Sequence, residues 1–227
     1  MINDEIRRGE FETTPSVVKS LMYKIELALG NLLFKRSPPF GSSPRLLNLG
    51  CGLIKYPGWC NADEYGFKRW LREKQFSPDW RLDITKKWKC DDDVWDGIFC
   101  QHVIEHVRYS QADFVLRECF RTMKSGAYLR VSVPDVQKYV EFYTGSDSDS
   151  PVEYKLFPSK ALAFSNIAQM HYHKSIWDGQ LMKSVLHGIG FVNVCEFNFG
   201  EGHDQRIMKD QKVKAWESLY VEAQKPA

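Results

Sequence analysis

The chain has 227 residues, of which 43% are hydrophobic and 26% charged, and its formal net charge is +2. This length is enough for one domain with a full sheet and covering helices. The near-neutral charge disfavours nucleic acid as an obligate partner. No apolar run reaches the length that spans a bilayer, and the polar first residues are unlike a signal peptide. Six scattered cysteines without a C-x-x-C pair predict reduced thiols and a cytoplasmic protein.

The first predicted element is an amphipathic helix over residues 14–34. Thr14 is a suitable N-cap, and Pro15 suits the first helical position. Apolar residues recur at steps of three and four, at Val18, Leu21, Met22, Ile25, Leu29, Leu32 and Leu33. A proline- and glycine-containing linker, 37–41, follows the helix. We expect the helix to pack on the domain or to cover its ligand cleft.

A buried strand then runs into a glycine turn. The apolar run Leu46–Leu49 is followed by Gly50 and Gly52, and Lys55 stands where a third glycine of G-x-G-x-x-G would fall. A second short strand ends at Asp63, eleven residues after Gly52. In α/β nucleotide-binding folds such an acid accepts the ribose hydroxyls. The simpler interpretation is an ordinary turn with a surface acid.

The remaining pattern alternates apolar strands with helices, which predicts a mostly parallel sheet. The last two strands lack a helix between them and suggest a hairpin at one edge. In chain order we first predict a helix over 67–75, strands over 80–84 and 95–100, and a helix over 110–123 that Gly126 stops. A strand over 128–133 follows and is ended by Pro134. The rest is an aromatic insertion over 151–174, a helix over 176–188, and strands over 191–197 and 215–223.

This ordered series resembles the class I S-adenosylmethionine-dependent methyltransferases. The resemblance is carried by Leu47–Gly52, Asn61–Asp63, Trp95–Ile98, His102–His106 and Leu116–Asp135. One departure is a Ser-Gly-Ala turn at 125–127, where relatives usually have Pro-Gly-Gly. The resemblance implies an α/β fold with a doubly wound, seven-stranded, mostly parallel Rossmann-like sheet and an antiparallel final strand.

The resemblance also implies one methyltransferase domain over 1–227. Its parts are an N-terminal helix and linker (1–42), a cofactor-binding core (43–135), a substrate-region insertion (136–174), and a C-terminal helix and hairpin (175–227).

The cofactor implied by the resemblance is S-adenosylmethionine. The Gly50–Gly52 turn would carry its methionine part, Asp63 its ribose hydroxyls, and Asp83 with Ile84 its adenine. Gln101 and His102 would line the methionine end and the acceptor mouth. The full expected cofactor set is Asn48, Gly50, Cys51, Gly52, Asp63, Asp83, Ile84, Gln101 and His102.

A narrower resemblance points to methyltransferases of sugar and surface-glycan biosynthesis, which implies O-methylation of a sugar hydroxyl. A hydroxyl acceptor needs a general base with a pKa near 7. The expected catalytic residues are His102, His106, Asp135 and His173, and further candidates are His171 and His203. Two alternatives remain open: a different small-molecule acceptor, and a non-catalytic subunit that only binds the cofactor.

Residues 102–106 also match H-x-x-E-H, a zinc-peptidase pattern that requires both histidines on one helix. The histidines directly follow a buried strand, which argues against this hypothesis. A metal-assisted variant would use His173, Glu201, His203 and Asp204, but no spacing rule supports that set. The sequence therefore leads us to expect no bound metal.

Overall fold

The computed structural model describes residues 21–22, 24–26, 28–29, 37–39, 43–64, 77–145, 154, 157 and 159–227. The predicted helix over 67–75 and most of the one over 14–34 lie outside these residues. Among the described residues, no helix is both long and apolar enough to cross a bilayer.

Seven strands form one sheet in the order β3-β2-β1-β4-β5-β7-β6. The first five strands pair in parallel, and β7 is antiparallel to both β5 and β6. This confirms the predicted fold class. The strands are β1 (Leu46–Leu49), β2 (Cys60–Asp63), β3 (Trp80–Arg81), β4 (Trp95–Gln101), β5 (Met123–Pro134), β6 (Val192–Phe197) and β7 (Ser218–Gln224).

Strand β1 lies in the middle of the parallel part of the sheet, and all four of its residues are buried. Leu47 pairs with Cys60 on one side and with Ile98 on the other. An apolar strand without alternation is buried on both faces, as its sequence predicts. The strand order reverses between β1 and β4, and ligands of open α/β sheets bind at the carboxyl ends of the strands at such a point.

Four described helices accompany the sheet: α1 (Tyr109–Thr122), α2 (Val136–Thr144), α3 (Lys160–Gln169) and α4 (Gly179–Ile189). Helices α1 and α4 pack side by side. Their contact continues into Phe120 and Phe191, whose rings meet edge to face at 4.9 Å. The Asp178 side chain accepts a hydrogen bond from Leu181 N and caps α4, which fixes where that helix begins.

Several predicted boundaries are wrong. Gly126 does not stop α1: the chain enters β5 directly at Met123, and Gly126 lies inside that strand with φ of 77°. The third strand is two residues long instead of five, since the chain turns away after Arg81. Helices α2 and α3 were not predicted, because an aromatic-rich segment has no clear helical period.

The described part of the first predicted helix, within residues 21–29, is helical. Its apolar side chains are exposed, between 43% at Leu29 and 57% at Leu21. These side chains are therefore not buried against the domain, and a role of the helix in covering the ligand cleft stays a prediction.

Helices α2 and α3 enclose a second apolar core, built around Tyr139, Tyr154 and Ile167. The Tyr139 hydroxyl donates to Glu217, directly before β7, at 2.8 Å. This contact ties the insertion to the carboxyl edge of the sheet. The turn after α3, which carries two histidines, is held near that edge as a result.

One face of β5 and β7 carries a buried guanidinium. Arg130 is fully buried and pairs with Glu222 at 2.9 Å and with Asp210 at 2.7 Å. Burying a charge is costly unless it is paired and hydrogen-bonded. The segment that carries Asp210 is therefore fixed against the sheet.

Candidate functional site

The glycine turn after β1 is built from main-chain contacts. Gly50 N and Cys51 N both donate to Ala62 O, at 2.8 and 3.0 Å, while Gly50 and Gly52 have φ of 70° and 54°. A Cβ on Gly50 would lie 2.1 Å from Val103 Cγ2, whereas one on Gly52 would meet no atom within 4 Å. Gly50 is thus required by the protein's own packing, and Gly52 borders open space.

The acid at the end of β2 faces this turn. Asp63 Oδ2 accepts a hydrogen bond from Gly52 N at 2.7 Å, and Oδ1 accepts one from Glu64 N at 2.6 Å. A carboxylate oxygen can accept more than one hydrogen bond. Burial, reinforced by Asp63, raises the pKa of Cys51 to about 12, so its thiol is neutral.

A network of buried and partly buried polar side chains holds the glycine turn in place. Asn48 is buried, and its amide nitrogen donates to Asn61 Oδ1 at 3.0 Å and to Ile54 O at 2.9 Å. Lys55 donates to Asp79 at 2.6 Å, and Asn61 donates to the same carboxylate at 2.7 Å. Burial alone would raise the pKa of Asp79, but these hydrogen bonds hold it below its usual 3.8. Asn48 therefore has a clear role in holding the loop.

The two residues expected beside adenine lie in the turn after β3. Asp83 accepts one hydrogen bond from the main-chain N–H of Thr85, at 3.0 Å, and one from its hydroxyl, at 2.6 Å. It also forms an ion pair with Lys86. Burial opposes ionisation, but these contacts lower the pKa of Asp83. Ile84 packs partly against the main core, and its carbonyl accepts a hydrogen bond from Trp88 Nε1.

A row of buried polar side chains crosses the carboxyl edge of the sheet. Gln101 pairs in register with Ser132, and Ser132 with Tyr220, so the three side chains share one face. Both polar atoms of the Gln101 amide and the hydroxyls of Ser132 and Tyr220 lack a hydrogen-bond partner in the described structure. Buried polar groups are normally satisfied, and a ligand bound across β1 and β4 would satisfy the amide.

His102 occupies the turn after β4 with φ of 53°. Its Nε2 lies 2.7 Å from Ser218 Oγ, and its Nδ1 lies 3.2 Å from Glu105 Oε1. Only 104–106 form a helical turn, of the 3₁₀ type. His102 and His106 therefore do not lie on one helix, and the zinc-peptidase hypothesis is wrong in its geometry.

Glu105 lies at the centre of a histidine cluster. His106 Nε2 lies 3.9 Å from Glu105 Oε1, and the rings of His106 and His173 are 5.0 Å apart. Glu105 is 1% exposed. Burial alone would raise the pKa of Glu105, but His102 and His106 lower it, so it is a carboxylate. Burial lowers the pKa of His106, which favours the neutral imidazole.

Asp135 caps α2, because its side chain accepts a hydrogen bond from Gln137 N at 3.0 Å. Burial raises the pKa of Asp135. His171 has φ of 56°, and its ring lies 6.1 Å from that of His173. The catalytic role of Asp135 stays a prediction, and His171 borders the histidine cluster.

His203 lies away from the carboxyl edge of the sheet and from the histidine cluster. Its ring lies tilted against that of Tyr128, with the centroids 5.5 Å apart. Tyr128 is four residues before Ser132 and so about 13 Å along the strand from the carboxyl edge. Asp204 pairs with Arg206, and Glu201 accepts a hydrogen bond from Asn198. The predicted set of His173, Glu201, His203 and Asp204 is therefore not brought together.

Two cavities of the described surface lie away from this edge. One, of about 870 Å³, is lined by 87–92 and Arg121. The other, of about 420 Å³ between α2 and α3, is lined by Val140, Tyr143, Ala161 and Phe164. Neither contains a residue of the glycine turn or of the histidine cluster.

Sequence reasoning missed Ser218 and Val103 as partners of site residues, and it gave Glu105 no role of its own, although residues 102–106 carry part of the methyltransferase resemblance. Ser218 is 116 residues from His102, and no local pattern marks that contact. A signal for Glu105 was present, because an acid between two histidines directly after a buried strand is poorly explained by packing alone.

No protein-family model matches the chain, and no curated protein matches it in sequence. Solved structures do match. Phosphoethanolamine N-methyltransferase 2 of Haemonchus contortus, in complex with phosphomonomethylethanolamine and S-adenosylhomocysteine, has a TM-score of 0.52 at 13% identity over 88% of this chain and 53% of that one. Our chain thus spans about half the length of that enzyme.

Two methyltransferases of similar length also match. A SAM-dependent methyltransferase from Archaeoglobus fulgidus has a TM-score of 0.50 at 17% identity, with 89% of this chain and 93% of that chain covered. One from Thermotoga maritima has a TM-score of 0.51 at 14% identity, with 90% and 89% covered. The chain therefore has the Rossmann-like fold of the class I S-adenosylmethionine-dependent methyltransferases.

Proposed function

We propose that the protein is a methyltransferase that uses S-adenosylmethionine. The observation that carries the proposal is the convergence at one edge of the sheet. A glycine turn open at Gly52, the Asp63 carboxylate and the unpartnered Gln101 amide surround the point where the strand order reverses. This is where α/β sheets bind nucleotide ligands.

In the proposed complex, S-adenosylmethionine supplies a methyl group on a positively charged sulfur. The main chain at Gly50 and Gly52 borders its methionine part, and Asp63 accepts the ribose hydroxyls. Asp83 and Ile84 lie beside adenine, and the Gln101 amide hydrogen-bonds the methionine end. Asn48 and Cys51, also expected to bind the cofactor, act mainly by supporting the turn.

The finer proposal is that the acceptor is a hydroxyl and that His102 removes its proton. Glu105 faces Nδ1 and favours the proton on that nitrogen, which leaves a lone pair on Nε2. That lone pair now receives the Ser218 hydroxyl. His102 Nε2 would take the proton of an acceptor hydroxyl that replaces Ser218 there, and S-adenosylmethionine would supply the methyl group.

For the acceptor class we propose a sugar or glycan hydroxyl, which rests on the narrower sequence resemblance. A hydroxyl acceptor fits the imidazoles at the mouth, because a neutral amine already has a free lone pair and requires no base to attack. The runner-up is an amine, since one protein of the same fold is a phosphoethanolamine N-methyltransferase. A single domain in a reducing, cytoplasmic compartment is also part of the proposal, which the buried cysteine thiols support.

Calorimetry with S-adenosylmethionine tests the cofactor, and transfer of a labelled methyl group to a panel of glycan fragments, monosaccharides and phosphoethanolamine tests the acceptor. We expect saturable cofactor binding and label in the sugars. Label in phosphoethanolamine alone would contradict the hydroxyl proposal. Cofactor binding without transfer to any acceptor would favour the non-catalytic alternative, and absence of cofactor binding would contradict the whole proposal.

A further inference from the structure

The carboxylate of Glu105 is buried and inadequately satisfied. It is 1% exposed, and neither oxygen has a partner with hydrogen-bond geometry in the described structure. The 3.2 Å approach of His102 Nδ1 is an ion-pair distance without that geometry. A buried charge left in this state costs several kcal/mol, on the order of the penalty for an ion taken out of water. Such groups are usually paired or coordinate metals.

Two imidazoles stand around this carboxylate at metal-ligand spacing. One ligand atom each from Glu105, His106 and His173 lies within 4.8 Å of the other two. Atoms that bind one ion of this class at about 2.0–2.2 Å are separated by roughly 3–4 Å. Only small side-chain rotations are then needed to bring the three onto one ion.

The cluster is held by contacts that orient its members. Ile167 O lies 2.8 Å from His173 Nδ1 and so places the proton there, which leaves Nε2 free to coordinate. Lys174 N and Ser175 N both donate to Glu105 O, at 2.7 and 3.2 Å. These bonds fasten the segment that carries His173 to the turn that carries Glu105, so the main chain of the site is fixed without an ion.

We propose that Glu105, His106 and His173 bind one divalent transition-metal ion at the carboxyl end of β4. Two imidazoles and one carboxylate suit zinc, cobalt, iron or manganese, and they leave coordination positions open for water or an acceptor oxygen. His102 lies beside Glu105 but is not one of the three ligands. The proposal replaces the expectation that the chain binds no metal.

A role for the ion follows, and this part rests on the proposed function. A hydroxyl bound to a divalent cation loses its proton more readily. The ion would lie on the Nδ1 side of His102, the side that faces Glu105. An acceptor hydroxyl that coordinates the ion would be activated by the metal itself.

The test uses Co²⁺ as a spectroscopic probe on the full chain after treatment with a chelator. We expect visible absorption bands that saturate at one equivalent, and competition by Zn²⁺. His106→Ala, His173→Ala and Glu105→Gln should each weaken Co²⁺ binding at least 100-fold. His187→Ala and His203→Ala, both outside the cluster, should bind as wild type does. Circular dichroism identifies any variant that fails to fold.

Absence of saturable binding to wild type would overturn the site. Equal binding by folded His173→Ala and wild type would overturn it as well. Stoichiometric Co²⁺ binding by wild type, together with its loss in His173→Ala, would support the site even without methyl transfer. Absence of methyl transfer would contradict only the proposed function. Methyl transfer at an unchanged rate after metal removal would overturn the role at the acceptor oxygen.

Discussion

The two sides of the carboxyl edge are held together differently. On the glycine-turn side, contacts such as Gly52 to Asp63 join residues eleven apart through the main chain. On the histidine side, His102 reaches Ser218 across 116 residues, and Lys174 reaches Glu105 from another element. One side offers main-chain groups and a carboxylate, and the other offers titratable side chains. The difference implies that cofactor binding and turnover can be separated by mutation.

The largest expected effect distinguishes the two glycines of the turn. Gly50→Ala should destabilise the fold by roughly 2–5 kcal/mol, since a left-handed φ costs about 1–2 and overpacking against Val103 costs about 1–3. Gly52→Ala should lower the free energy of unfolding only through the left-handed φ, by about 1–2 kcal/mol. It should also weaken cofactor binding. Urea unfolding measures the first effect and calorimetry the second. Equal stability losses in the two variants would contradict this assignment.

The next effect tests the acid of the glycine-turn side. Asp63→Asn keeps the side-chain shape and can still accept from Gly52 N, but it removes the charge that would bind the ribose hydroxyls. We expect the affinity for S-adenosylmethionine to fall by about 2–3 kcal/mol, roughly 100-fold. Asp91→Asn, which removes an exposed charge, is the control. Unchanged affinity in Asp63→Asn would rule out the proposed ribose contact.

The histidine side should affect turnover instead. Ser218→Ala removes the hydroxyl that orients His102 Nε2. We expect kcat to fall about tenfold, which corresponds to roughly 1.4 kcal/mol, with the dissociation constant for the cofactor unchanged. Steady-state kinetics and calorimetry on the same preparation separate the two quantities. A loss of cofactor affinity would show that the two sides are coupled after all.

The smallest effect is pH-dependent and belongs to the glycine-turn side. The pKa of Asp79 is held below its usual 3.8 by Lys55 and Asn61, although burial opposes this. Its stabilising contribution is therefore present above pH 3.8 and is lost as the pH falls through the lower, folded-state value. Asp79→Asn should cost about 1 kcal/mol at pH 7, and the difference from wild type should shrink by pH 3. A difference that grows with acidity would contradict this.

Sequence alone predicted the parts of the molecule that local pattern determines. The apolar run of β1, its glycine turn and the acid at Asp63 lie close in the chain, so their meeting followed from strand periodicity and turn chemistry. The two helices that follow β5 were missed because their aromatic residues pack against each other, as Phe142 does on Tyr154 at 4.1 Å, instead of forming a regular stripe. The meeting of His106 with His173 depends on that packing and could not be predicted locally.

The position of β7 has a consequence for how the molecule is made. This strand lies between β5 and β6, yet the ribosome completes both neighbours before it. Until β7 is inserted, both neighbours keep an open edge, which is a template for wrong pairing. The buried Arg130 also lacks Glu222 until then. The sheet therefore cannot close until β7, which is made after both of its neighbours, is inserted between them.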